Sequence, residues 1–232
     1  MKKPLYIQIS EEFKNMISEE YQYGSLFPPE RELSEKYKID RKTVRKALNI
    51  LVEEHLLVRV MGKGTYVKRP DINMPMNKLI GFSRMIRQEG GDLTTEVLEL
   101  SENIAGYKLA KIFEIGQFDS INRLERVRYV DKVPVAIEIT YVPQIIPNFQ
   151  KMDFGISSLY ETFVENNHIP TDLKEEVEAI KIFGKRAKLL GVDEGTAVFL
   201  VTDITKDQNG KVIEYNNTYS CSDRIKMSTQ LV

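Results

Sequence analysis

The chain has 232 residues, more than one average domain and fewer than two large ones, so its length favours two modest domains joined by a linker. Hydrophobic residues make up 42% and charged residues 29%, an ordinary globular balance that excludes extended disorder. One cysteine, Cys221, and two histidines, His55 and His168, exclude a disulfide framework, a paired-cysteine zinc site and most triad chemistry. The net charge of -1 hides an asymmetry: residues 1–75 carry +3 and the remainder -4. Residues 36–69 alone hold ten basic side chains against three acidic ones, an electrostatic footprint for phosphate. No apolar run reaches membrane-spanning length, and Met1-Lys2-Lys3-Pro4-Leu5 does not open a signal-peptide core, so a cytoplasmic protein with no membrane partner is expected.

Behind Pro4, the residues Leu5, Tyr6, Ile9, Phe13, Met16 and Ile17 repeat at helical spacing until Gly24-Ser25, which predicts a first helix. A short second helix is expected from about Glu30 to Tyr37 after Pro28-Pro29. Asp40 offers an N-cap to a third, whose Val44, Ala47, Leu48, Leu51 and Val52 make one apolar stripe and leave Lys42, Arg45, Lys46 and Asn49 outward. Leu57–Val60 and Thr65–Val67 are strand signals around the glycine turn Met61-Gly62-Lys63-Gly64. Three helices, the last two separated by a short turn, and a basic-tipped hairpin describe a winged helix-turn-helix. Gly62-Lys63-Gly64-Thr65 is faintly similar to a P-loop but fails on spacing, because Leu57 occupies the first glycine position and Gly64 the Ser/Thr position.

The stretch Lys68–Asn77 has two prolines and no periodicity, which predicts a linker at 70–77 between domains at 1–69 and 78–232. Beyond it, strand-like alternation occurs at Glu96–Leu100, Lys111–Phe118, Asn122–Val130, Pro134–Val142, Ala197–Thr205 and Lys211–Ser220. Helical segments are expected near Leu79–Glu89, Leu159–Asn166 and Gly184–Leu190. Turns at Asp131-Lys132 and Gln208-Asn209-Gly210 imply antiparallel pairing, so the second domain is α+β. His55 and His168 lack a partner at metal-ligand spacing and are read as edge and loop residues; Cys221 is read as a packing residue. No metal, cofactor or catalytic residue is expected.

Four words in order, Pro4-Leu5-Tyr6-x-Gln8-Ile9, Pro28-x-Glu30-Arg31-Glu32-Leu33, Arg41-x-Thr43-Val44-Arg45-x-Ala47-Leu48 and Gly62-Lys63-Gly64-Thr65, resemble the GntR family of bacterial transcription regulators. Gly81-Phe82-Ser83, Leu124-x-Arg126-x-Arg128, Pro134-Val135-x-x-Glu138, Ser158-Leu159-Tyr160-Glu161 and Ala187-x-x-Leu190-Gly191-Val192 resemble the UTRA effector domain of its HutC branch. The resemblance implies an effector domain folded like chorismate lyase. It also implies a homodimer on a palindromic DNA operator, usually a repressor released by a small metabolite. The sequence departs from the family at Pro29, where a serine cap is common, and at Lys38, where a turn glycine is usual. Asp40 stands for Ser or Thr, and His55 for glycine. A left-handed Lys38 would cost about 1 kcal/mol relative to glycine.

The third helix of such a motif enters the major groove by its N-terminal end, where Arg41, Thr43 and Arg45 lie, and an arginine fork suits guanine. The resemblance adds Arg31 and the Gly62-Lys63 wing tip. In the second domain, Arg126 and Arg128 are two apart on a strand and face one side, where paired guanidiniums call for an anion. A two-residue turn at Asp131-Lys132 pairs Arg126 with Ile137, whereas a three-residue turn pairs it with Glu138. The resemblance implies the second register. Ser158, three residues before Glu161, fits a capping box. The resemblance implies instead that the Ser158 helix end and the two arginines hold a phosphate, completed by Phe82, Ser83 and Tyr160, while Glu138 and Glu214 bind hydroxyl or amino groups of a sugar. The expected function is therefore a DNA-binding regulator answering to a phosphorylated sugar or amino sugar, coupled through the linker. A non-phosphorylated effector, or a lyase-like enzyme, is the alternative.

Overall fold

The computed structural model describes residues 3–229 except 22–23, 55, 69–71, 77–78, 80 and 89–91. His55, Arg69, Pro70 and Asn77 thus lie outside the described residues, as do Ile80 and Glu89 of the expected helix Leu79–Glu89. The chain divides into two compact units, residues 1–70 and 71–232. Among the described residues, no helix is long and apolar enough to cross a membrane.

In the first unit, helix α1 spans Leu5–Glu20 and buries Phe13, Met16 and Ile17. It ends four residues before the expected glycine because Tyr21 is already extended and packs its ring 5.1 Å from that of Phe27. Phe27 belongs to a strand that periodicity does not signal, β1 (Leu26–Phe27). Helices α2 (Glu30–Tyr37) and α3 (Arg41–Glu53) follow, separated by three residues of which Lys38 is left-handed at φ 53°. The Asp40 side chain caps α3 by accepting from the Thr43 amide at 2.9 Å, and the Thr43 hydroxyl donates to the other carboxyl oxygen at 2.6 Å. Val44, Ala47, Leu48 and Leu51 close the core against Phe13, Leu33, Leu57 and Val67. The wing is β2 (Leu57–Val60) and β3 (Gly64–Val67), with β3 central between β1 and β2. Gly64 sits at φ +124°, a backbone conformation that side-chain-bearing residues rarely adopt, so the wing requires glycine there.

In the second unit, β4 (Ile72–Pro75) is followed by α4 (Phe82–Gln88), β5 (Leu93–Ile104), α5 (Gly106–Phe113), β6 (Ser120–Val130) and β7 (Val133–Pro143). Helix α6 (Leu159–Glu165), β8 (Pro170–Lys181), α7 (Gly184–Leu190), β9 (Ala197–Asp207), β10 (Val212–Cys221) and β11 (Ile225–Ser228) complete it. Six strands form one antiparallel sheet in the order β5-β6-β7-β10-β9-β8. Helix α7 packs on one face over Val127, Ile137 and Val198, and α5 joins that side through Ala110 and Phe113. On the other face α6 packs through Leu159 and Phe163, and α4 through Met85 and Ile86.

The fold departs from the sequence reading at three places. Lys111–Phe118 is not a strand: Leu109, Ala110, Ile112 and Phe113 pack at helical spacing, and α5 stops at left-handed Glu114. Strand β8 is absent from the sequence reading because it is an exposed edge carrying Asp172, Lys174, Glu175, Glu176, Glu178 and Lys181, which breaks apolar alternation. The stretch read as an irregular linker contains β4, paired in parallel with β11 from Ile72↔Ile225 to Pro75↔Ser228. Its proline is tolerated at the last position of a short strand.

The register between β6 and β7 is reached by a route neither expectation contained. The turn has two residues, with Asp131 at φ 50° and Lys132 at φ 66°, as a primed hairpin turn requires. Val130 therefore pairs with Val133 and Tyr129 with Pro134, but the next pair is Arg128 with Ala136. The fully buried Val135 is the extra residue of a β-bulge. The bulge brings Glu138, in place of Ile137, opposite Arg126.

Candidate DNA-binding surface and effector cavity

In the first unit Arg31, Arg41, Arg45, Gly62 and Lys63 are exposed, and Thr43 is half-buried with its hydroxyl committed to Asp40. Arg45 is gripped by Glu30 from the first turn of α2: its Nε donates to both carboxyl oxygens at 3.0 Å, and its Nη2 to Oε2 at 2.7 Å. The Arg45 hydrogen bond holds the Glu30 carboxyl below its ordinary range against the opposing effect of burial, and Arg59 and Arg41 add to it. Glu30 thus binds Arg45 and lies in the field of Arg59 and Arg41. Arg59, which the sequence reading passed over as a strand residue, also donates to Asn49 on α3 at 2.7 Å. Among the described residues, Arg31 has only a long i,i+4 contact with Glu35 at 3.9 Å. The arrangement presents an exposed cationic helix end with one guanidinium fixed in direction, which suits phosphate and base edges.

In the second unit one cavity is lined by all eight side chains singled out above: Phe82, Ser83, Arg126, Arg128, Glu138, Ser158, Tyr160 and Glu214. At one end, Arg126 Nη2 lies 2.6 Å from Glu138 Oε2, and Arg128 Nη1 lies 3.8 Å from the same oxygen. Arg128 Nη2 donates to Ser83 at 2.6 Å, and its guanidinium carbon stands 5.2 Å from the Phe82 ring centroid. Both arginines are more than nine-tenths buried, and the Nε of each is shut from solvent with no hydrogen-bond acceptor among the described residues. Burial pushes Arg128 down to about 10, with Glu138 resisting and Arg126 adding to the fall. Burial also raises the Glu138 carboxyl, but Arg126 and Arg128 together outweigh it and hold the group below its ordinary range. Ser158 caps α6 by accepting from the Glu161 amide at 3.4 Å, as the capping-box reading expects.

The other end is built from residues the sequence reading did not single out, together with Glu214. On the inner face of β10, Glu214, Asn216, Thr218 and Ser220 are all buried. Thr140 donates to Asn216 at 2.9 Å, Asn216 donates to Asp203 at 3.2 Å, and Thr205 donates to Glu214 at 2.8 Å. Burial, reinforced by Glu214, pushes Asp203 up to about 7. Burial likewise pushes Glu214 up to about 7, with Glu138 adding and Thr205 opposing. A polar residue at every second position of a strand reads in sequence as a solvated face, so only the sheet order, which puts β10 inside, reveals this end.

The cavity holds about 90 Å³, well below the several hundred Å³ usual for small-molecule sites. Behind the wall formed by Gly81, Ser158 and Tyr160 lies a second cavity of about 470 Å³, lined also by Leu79, Val164 and Ile169. Gly81 is where α4 meets that wall, since a Cβ there would stand 3.2 Å from Tyr160. No group of three or more metal-ligating side chains occurs among the described residues.

Residues 5–67 match the bacterial regulatory proteins of the gntR family, and residues 88–226 match the UTRA domain. The chain is similar to the HTH-type transcriptional repressor NagR of Bacillus subtilis (strain 168), at 32% identity over 95% of this chain and 92% of that protein. It is 29% identical to the probable fructoselysine utilization operon transcriptional repressor of Escherichia coli (strain K12), over 90% of this chain and 86% of that protein. The crystal structure of PhnF from Mycobacterium smegmatis superposes with a TM-score of 0.73 at 26% identity, covering 97% of this chain and 99% of that one. With both segments matched and relatives aligned over nearly the whole length, the chain belongs to the gntR family of bacterial regulatory proteins and is a DNA-binding transcriptional regulator with a UTRA domain, not an enzyme.

Proposed function

We propose that the protein is a cytoplasmic repressor of the HutC branch, released from its operator by a phosphorylated sugar or amino sugar. Residues 1–69 bind DNA, residues 78–232 bind the effector and dimerise, and the homodimer reads a palindrome. Arg31, Arg41, Thr43, Arg45 and the Gly62-Lys63 wing tip meet the duplex, with Arg45 reading a base and the wing touching backbone or minor groove. The name of the fructoselysine relative supports a sugar-derived effector.

The observation that carries the effector reading is the pair of buried, acceptor-less Nε groups on Arg126 and Arg128 in one cavity with Ser83. A buried unsatisfied donor costs free energy that an anion with several oxygens recovers. Helix α6 is only seven residues long and its first turn is already capped, so the anion reading rests on the arginines. A thermal-shift screen of sugar phosphates against their unphosphorylated parents tests it. Stabilisation should require the phosphate and vanish in Arg128→Ala, which should still bind operator. Equal binding of the unphosphorylated parents, unaffected by Arg128→Ala, would exclude a phosphate site.

A further inference from the structure

We infer that Arg59 is a phosphate contact, gripping the sugar-phosphate strand that separates the groove entered by α3 from the one met by the wing. This role rests on α3 and the wing tip meeting the duplex as proposed above. It adds a residue that belongs neither to the helix nor to the glycine turn.

Strand β2 carries Leu57 and Arg59 on one face, because side chains two apart point the same way. Leu57 is fully buried in the core that Val44 and Leu51 of α3 close. Arg59, two residues nearer the wing tip, emerges from that core and is exposed. There its Nη2 donates to Asn49 Oδ1 at 2.7 Å. Asn49 is exposed on α3, about one helical turn beyond Arg45. The opposite face of β2 presents Val58 and Val60, so the charge of this strand is directed to the α3 side. The guanidinium therefore stands in the angle between the recognition helix and the wing.

The chemistry of its partner separates a DNA contact from a structural staple. A carboxylate at position 49 would hold the guanidinium and cancel its charge. An amide oxygen fixes its direction and leaves the charge whole. Glu30, whose carboxyl senses Arg59, already receives Arg45 on both oxygens. Among the described residues no carboxylate forms an ion pair with Arg59, so an oriented and uncompensated cation faces outward at this angle. A motif that puts a helix in one groove and a wing in or beside the next must straddle the phosphate strand between them. Arg59 lies where that strand passes, and the remaining donors of its fork suit phosphate oxygens.

The test is the salt dependence of DNA binding by the full-length protein, followed by fluorescence anisotropy from about 50 to about 200 mM salt. Two duplexes are compared: one selected by the wild-type protein from a random pool, and a scrambled duplex of equal length. Each phosphate contact contributes about 0.9 to the slope of log affinity against log salt. Arg59→Gln keeps a donor for Asn49 and loses the charge, so it should flatten the slope by about 0.9 for each copy bound and weaken both duplexes several-fold. Arg59→Met repeats the measurement with the aliphatic stem kept, and melting curves check that both variants fold. Arg59→Lys and Asn49→Ala retain the charge and should retain the slope.

Three results would overturn the inference. An unchanged slope in both charge-removing variants would make Arg59 a structural staple. A loss confined to the selected duplex would make it a base contact. A slope as flat in Arg59→Lys and Asn49→Ala as in Arg59→Gln would trace the effect to the position of the wing and not to the charge. Arg45→Ala, run alongside, tests the helix reading separately: no loss on the selected duplex would refute that reading, whereas the Arg59 slope tests this one.

Discussion

Asp203 and Glu214 keep protons in the folded chain that an unfolded chain would release. Their ordinary values are 3.8 and 4.5, and burial pushes each up to about 7. Groups whose proton affinity rises on folding contribute stability that is complete below the unfolded values and is lost as pH climbs through the folded ones. The ligand-free second unit should accordingly be more stable at about pH 5.5 than at about pH 8. At ~1.4 kcal/mol per tenfold change in proton affinity, the loss should be of the order of 3 kcal/mol, or about 10 °C in melting temperature. Melting curves across this range check it, and Asp203→Asn should flatten the dependence. A melting temperature that rises toward pH 8 would show that the acid end is solvated.

Helices α2 and α3 are joined by a clamp as well as a turn. Glu30 holds Arg45 through Nε and Nη2, which leaves the outer edge of the guanidinium free to meet a guanine. Glu30→Gln should therefore weaken matched operator about tenfold, within the ~1 to 3 kcal/mol of a base contact, and change binding to mismatched DNA little. Gel-shift titration on both duplexes decides; equal weakening would make Arg45 a backbone contact. The elements that carry this clamp are legible in the sequence because several local signals agree. Asp40, Thr43 and the Val44 to Leu51 stripe specify the start and the buried face of α3 together. Helix α7 is likewise legible to the residue, since Gly184 and left-handed Gly191 bound it. What is not legible depends on the neighbour. The Val135 bulge exists only in the pairing of β7 with β6, and the acidity of the far end only in the order of β8, β9 and β10. The positions of Arg126, Arg128 and Glu138 were legible through a motif, but the orphaned Nε groups that give them meaning belong to tertiary burial.

For the whole molecule, the segment expected to be a slack linker alters the account of coupling. Its Ile72–Pro75 portion is a strand held by β11, and Met74 and Pro75 of that strand line the cavity. In sequence, β4 directly follows the end of the DNA-binding unit at Pro70. A ligand that forces open a cavity of about 90 Å³ must displace lining residues, and those of β4 are the first the chain meets after that unit. The expected result is a coupling free energy of ~1 to 3 kcal/mol between effector and operator, a change of roughly 5- to 150-fold in operator affinity. Linkage requires the same factor in reverse, so saturating operator should weaken effector binding equally. Effector titrations by calorimetry with and without operator duplex measure it. Met74→Ala should reduce the coupling more than either separate affinity, because Met74 borders the cavity without belonging to its charged ends. Unchanged effector affinity on operator would defeat release by effector, and tighter binding would make the ligand a corepressor.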